Sequence, residues 1–116
     1  MPKILIADSG FTKTDWRIID ETGQINQART AGINPYYQTE DEMQKVIQDL
    51  YAQLPHKVDE IYYYGTGCSS STNRKKIADI LQQFYSTATI DVNHDLLAAA
   101  RSLCGEEAGI ACIIGT

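Results

Sequence analysis

The spacing of apolar residues changes once along this chain, and that change limits the folds open to it. Up to Gly32 the apolar residues come in short runs: "ILIA" at 4–7, the alternating "DWRIID" at 15–20 and "INQARTAG" at 25–32. These runs predict strands over 3–8, 15–20 and 25–32, with an elbow at the first junction and the turn "ETGQ" at 21–24. Strands joined this closely form an antiparallel meander. From Thr39 the period lengthens. Thr39 and Glu42 make a capping-box signature, after which Met43, Val46, Ile47, Leu50, Tyr51 and Leu54 recur at helical spacing until Pro55.

Strand and helix then alternate. "VDEIYYYGTG" reads as a strand ending in a glycine loop. "SSTNRKKIADILQQFYS" reads as a helix with Ile77, Ile80, Leu81, Phe84 and Tyr85 on one face and Ser71 or Thr72 as its cap. "TATIDVN" is a strand, "HDLLAAARSLC" at 94–104 a short helix and "GIACIIGT" at 109–116 a last strand. The order β-β-β-α-β-α-β-α-β defines an α/β chain with a mixed sheet, parallel members and helical cover. Its 116 residues suffice for one core.

Charge and cysteine content narrow the function. A net charge of −5 argues against nucleic acid as a main partner, because phosphate backbones are bound by basic stripes. The basic cluster Arg74–Lys75–Lys76 reads as a solvated helix start. Cys68, Cys104 and Cys112 are odd in number and lack CxxC spacing, which disfavours a disulfide framework, a zinc site or an iron–sulfur cluster built by this segment. They read as reduced thiols of a cytoplasmic protein. The apolar run before Asp8 is too short for a signal-peptide core, and no stretch reaches membrane-spanning length.

Four stretches are candidates for chemistry. The elbow "DSGFTKT" crowds a carboxylate (Asp8), three hydroxyls (Ser9, Thr12, Thr14), Gly10 and Lys13 into one corner. Small residues let backbone N–H groups line an anion-sized concavity, Lys13 adds positive charge, and Asp8 suits a hydrated magnesium ion. The plainer reading is a turn. "YGTGCSSST" at 64–72 is a second glycine–hydroxyl loop before a helix, but it matches neither a Walker loop nor a dinucleotide fingerprint. It lines a pocket with backbone or is a structural turn. "AGINPYY" at 31–37 offers Asn34, whose amide donates and accepts as sugar hydroxyls require, walled by Pro35 and Tyr36; an Asn-Pro turn is the alternative. Asp95, in the first turn of the helix at 94–104, is either a capping carboxylate or a general base at a strand's carboxyl end, with His94 beside it.

In this order, "IADSGFTKTDW", "AGINP", "YYYGTGC", "VNHDLLAAARSLCG" and "GIACIIGT" resemble the N-terminal domain of the N-acetylglucosamine kinase-like proteins. These belong to the BadF/BadG/BcrA/BcrD-type ATPases of the actin-like, ribonuclease H-like superfamily. The resemblance covers essentially the whole chain. It implies an ATP-dependent sugar kinase using ATP and Mg2+, with N-acetylglucosamine or a related amino sugar as substrate. It puts Ser9, Gly10, Thr12, Lys13 and Thr14 at the nucleotide phosphates and Asp8 at the metal. It makes Asp95 the base for the sugar hydroxyl and sets Asn34, Gly65, Thr66 and Gly67 around the sugar. Gly115 and Thr116 look like the start of a phosphate-2 loop that the family continues further. Residues 1–116 are accordingly expected to be an N-terminal domain truncated at that loop, with no membrane partner and with self-association left open. Two rivals remain: an activator-type ATPase coupling hydrolysis to electron transfer through an intersubunit iron–sulfur cluster, and an inactive folded fragment.

Overall fold

The structure, a computed structural model, describes residues 3–93 apart from Phe11, Glu21, Pro55, His56, Thr66 and Ser69. The expected helix at 94–104 and strand at 109–116 lie outside the described residues. The elements are β1 (Ile4–Ser9), β2 (Lys13–Ile19), β3 (Ile25–Ala31), α1 (Glu40–Gln53), β4 (Glu60–Gly65), α2 (Ser71–Phe84) and β5 (Thr89–Asn93). They form one five-stranded sheet in the order β3-β2-β1-β4-β5. The β1–β2 and β2–β3 pairs are antiparallel, whereas β1–β4 and β4–β5 are parallel. The meander and the mixed sheet both match the sequence pattern.

β1 is the central strand, and its composition shows why. Leu5 and Ala7 face the helices, Ile4 and Ile6 face the other side, and all four are buried. A central strand with a parallel neighbour needs apolar residues on both faces, so alternation disappears from "ILIA". The core lies between the sheet and the two helices. Leu5, Trp16, Ile18, Ile61 and Tyr63 from the sheet meet Met43, Ile47 and Leu50 of α1 and Ile77, Ile80 and Leu81 of α2. The buried Trp16 donates its Nε1–H to Thr30 Oγ1 at 2.9 Å, so the indole leaves no unpaired donor in the core.

The capping box of α1 is formed: Glu42 N–H donates to Thr39 Oγ1 at 3.2 Å, and Thr39 N–H donates to Glu42 Oε1 at 2.9 Å. Three local expectations shift. β2 starts at Lys13 rather than at Asp15, so only residues 10–12 separate the first two strands. α2 is capped by Ser70, whose hydroxyl accepts the Asn73 N–H at 3.1 Å, not by Ser71 or Thr72. A run of serines supplies the same chemistry at each position, and only the chain's path picks one. Tyr51, expected on the apolar stripe, sits at its rim 38% exposed, with ring centroids 5.9 Å from Phe84 and 5.4 Å from Tyr85.

Candidate functional site

Parallel pairing makes β1, β4 and β5 finish at the same edge of the sheet. Ser9 ends β1 beside Gly65 of β4, and Tyr64 lies beside Asn93 at the end of β5. Open α/β sheets bind ligands at the carboxyl ends of such strands. The elbow, the loop after β3 and the loop after β4 gather here.

The elbow is tight. Gly10 N–H donates to Lys13 O at 2.9 Å and closes it. Strand alternation then sorts its residues. Ser9 and Thr14 pair across the ladder and point toward the helix side, where both are buried. Asp8 pairs with Asp15 and shares the opposite face with it and with Lys13. Asp8, Thr12 and Lys13 are exposed, and Asp15 accepts Arg29 Nε at 2.9 Å. Residues that looked like one cluster in sequence thus occupy two faces.

On the helix side the hydroxyls form a buried relay. Ile33 N–H donates to Ser9 Oγ at 3.2 Å, Ser9 and Thr14 hydroxyls are 2.8 Å apart, and Thr14 Oγ1 donates to Ala31 O at 3.0 Å. With Thr14 donating to Ala31, the Ser9 proton is shared between Thr14 Oγ1 and Ile33 O, the latter at 3.4 Å. The relay stitches β1 and β2 to the loop after β3, each bond contributing about 1 kcal/mol. Both hydroxyls and the Gly10 N–H are engaged within the protein, leaving Asp8, Thr12 and Lys13 as exposed polar groups of the elbow.

That loop places Asn34 beside Gly67. Asn34 is 5% exposed; its Oδ1 accepts the Tyr36 N–H at 3.0 Å, while its Nδ2 has no partner. Gly67 has φ +80°, the left-handed region open to glycine, and a Cβ there would stand 3.0 Å from Asn34 Oδ1 and 3.2 Å from Tyr36 Cδ2. The first turn of α2 pins the loop from behind: Asn73 Nδ2 donates to Gly67 O at 3.1 Å and Arg74 Nη1 to Cys68 O at 2.9 Å. Cys68 is buried, and desolvation pushes its thiol up to about 11 despite Arg74.

Beneath this loop lies Tyr63, to which the sequence pattern gives no role beyond its place on a strand. It is wholly buried against Trp16, ring centroids 6.1 Å apart. A Cβ at Gly65 would stand 2.4 Å from Tyr63 Cε1, so the ring fills the place of the missing side chain. Burial pushes its phenol above the usual range, the neighbouring Ser9 hydroxyl opposing the shift, and no group stands in hydrogen-bonding geometry to its hydroxyl. The only signal in the sequence was a glycine two residues after an aromatic on a strand.

The structure therefore joins Ser9, Thr14, Asn34, Gly65 and Gly67 and puts Asp8 and Lys13 on the other side of the elbow. Asp95, Thr66, Gly115 and Thr116 lie outside the described residues. Two surface hollows, of about 370 Å³ beside Tyr51, Phe84 and Tyr85 and about 350 Å³ beside Asp15, Arg29 and Gln53, lie outside the loop cluster.

A five-stranded mixed sheet of this order with both helices on one face has the ribonuclease H-like, actin-like ATPase fold. The chain is similar to a candidate N-acetylglucosamine kinase from Porphyromonas gingivalis, with 34% identity and a TM-score of 0.74 over 90% of this chain and 38% of that one. It also resembles a Bacteroides thetaiotaomicron protein of actin-like ATPase fold and unknown function (14% identity, TM-score 0.55, 99% and 38% covered). YeaZ from Pseudomonas aeruginosa shares the fold as well (17% identity, TM-score 0.50, 88% and 48% covered). The chain thus spans less than half the length of these structures. No protein-family model and no curated protein matches it.

Proposed function

We propose that this chain is the N-terminal part of an ATP-dependent sugar kinase of the BadF/BadG/BcrA/BcrD-type group, acting on N-acetylglucosamine or a related amino sugar. One observation carries the reading. The elbow, the Asn34 loop and the Gly65–Cys68 loop converge at the strand ends, with the buried Asn34 amide unpartnered. Similarity at 34% identity to the candidate kinase supports it.

Phosphoryl transfer needs positioning and charge neutralisation more than covalent help. Thr12 and Lys13 meet the phosphates of ATP, Gly10 leaves room for their approach, Gly115 and Thr116 share the task, and Ser9 and Thr14 hold the elbow in shape. Asp8 is exposed at a strand end, and one carboxylate together with the ion's own waters is enough for a hydrated magnesium ion. That donor set fits the ion, which when bound supplies neutralising charge to the phosphates. The Nδ2 of Asn34 donates to an acceptor on the sugar, and Gly65, Thr66 and Gly67 bring backbone against it.

Asp95 acts as the general base. It takes the proton of the sugar hydroxyl as that oxygen bonds to phosphorus and the bond to ADP breaks. The test is phosphorylation by the full-length protein, with magnesium-ATP and a panel of hexoses and amino sugars, paired with thermal shift. A stabilisation of about 2.7 kcal/mol is expected at a hundred times the dissociation constant. No phosphorylation and no shift with any sugar would remove the proposal.

A further inference from the structure

We infer that Tyr36 is a specificity residue for the sugar, its ring forming an aromatic wall beside the Asn34 amide. The inference rests on the sugar-kinase reading and adds to it the kind of sugar surface the site accepts.

An exposed tyrosine alone needs no explanation. Three observations single out this one. First, its loop is rigid although it lies at the surface. Asn34 N–H donates to Gln38 Oε1 at 2.6 Å and Gln38 Nε2 to Gly32 O at 3.1 Å. The N–H groups of Tyr37 and Gln38 both donate to Asn34 O, at 3.2 and 3.0 Å. With the bond from Tyr36 N–H to Asn34 Oδ1, the backbone that carries the ring is preorganised.

Second, the ring is held against the second loop of the site and yet kept in solvent. Tyr36 is 61% exposed, and its Cδ2 lies 3.2 Å from where a Gly67 Cβ would be. Glycine at that position leaves room for the ring, the Asn34 amide and the Gly67 backbone to share one corner.

Third, the polar neighbour of the ring lacks a partner. The Nδ2 of Asn34 carries two N–H donors in a residue only 5% exposed, and neither is bonded. Buried donors are paired in the great majority of cases, by protein, water or ligand. A pyranose ring presents an apolar face of C–H groups and acceptor oxygens at its edge. An aromatic face next to a buried pair of donors matches both, as ligand sites combine apolar walls with a few fixed polar groups. Tyr36 thus selects sugars with an unobstructed C–H face whose edge carries an acceptor for Asn34.

The experiment compares wild type, Tyr36→Ala and Tyr36→Phe in the full-length protein, measuring KM for the preferred sugar and for ATP, and kcat. Tyr36→Ala should raise sugar KM about tenfold, the worth of roughly 55 Å² of apolar contact, and leave ATP KM unchanged. Tyr36→Phe, which keeps the ring, should stay within about twofold of wild type. An unchanged sugar KM in Tyr36→Ala, a parallel rise in ATP KM, or no recovery with phenylalanine overturns the assignment of Tyr36 and leaves the kinase reading intact. A wild-type protein that phosphorylates no sugar overturns both.

Discussion

Gly65→Ala tests how the loop after β4 is supported. The added Cβ would stand 2.4 Å from Tyr63 Cε1, 2.9 Å from Cζ and 2.8 Å from the hydroxyl. Carbon atoms in contact prefer about 3.5–4.0 Å, so the ring or the loop must retreat by roughly 1 Å. Tyr63 has no exposed surface and packs against Trp16, which leaves it no free direction. Overpacking of this kind costs about 1–3 kcal/mol. Gly65 has a negative φ, so no backbone strain is added. The lower entropy of the unfolded alanine chain returns about 0.4–1 kcal/mol. The net expectation is a loss of about 1.3 kcal/mol, or roughly 5 °C in Tm for a chain of this size.

Urea denaturation of wild type, Gly65→Ala, Tyr63→Leu and the double variant measures it. Tyr63→Leu alone leaves a cavity and destabilises by about 2–4 kcal/mol. In the double variant the alanine methyl occupies vacated space, so the combined loss should fall short of the sum by at least about 1 kcal/mol. A Gly65→Ala loss under about 0.5 kcal/mol, or additive single variants, would refute the picture of the ring as a strut under the loop.

Other outcomes follow from the same geometry. Tyr63→Phe removes a buried hydroxyl that has no hydrogen-bond partner, so it should be neutral or stabilising by up to about 1 kcal/mol in the same assay; a loss above that would show the hydroxyl to be satisfied. Alkaline pH should weaken the fold. The Cys68 thiol, ordinarily near 9.0, is pushed up to about 11 by burial, and burial also raises the phenols of Tyr63 and Tyr85. The unfolded chain therefore loses protons first, and stability present below pH 9.0 declines between there and about 11. Urea midpoints at about pH 8 and 10 should differ, with a smaller difference in Cys68→Ala; equal midpoints would discard the linkage. Asp95→Asn in the full-length protein should leave sugar binding nearly intact and cut turnover by about 10²–10⁴-fold, and unchanged turnover would discard its role as base.

Residue spacing carried the architecture a long way. The strand pattern before Gly32, the capping box at Thr39 and the stripe through Leu50 are each set by neighbours within four positions, and each appears, with the start of β2 moved to Lys13. The site was half legible. Glycine and hydroxyl residues marked the three loops, but their division between two faces was hidden because the β2 start at Lys13 rather than Asp15 decides it. With three residues in the elbow, Ser9 and Thr14 become a cross-strand pair pointing into the protein. Tyr63 carried no motif at all, since its meaning depends on the space above Gly65.

The amino-acid sequence alone determined the elements from β1 to β5, their order and the residue types available at the strand ends, because helix and strand periods arise from contacts a few residues apart. Tertiary structure alone decided that Asn34 meets Gly67 across more than thirty positions of chain and that Ser9 ends beside Gly65. Such meetings depend on strand register and parallel pairing, which only the assembled sheet specifies.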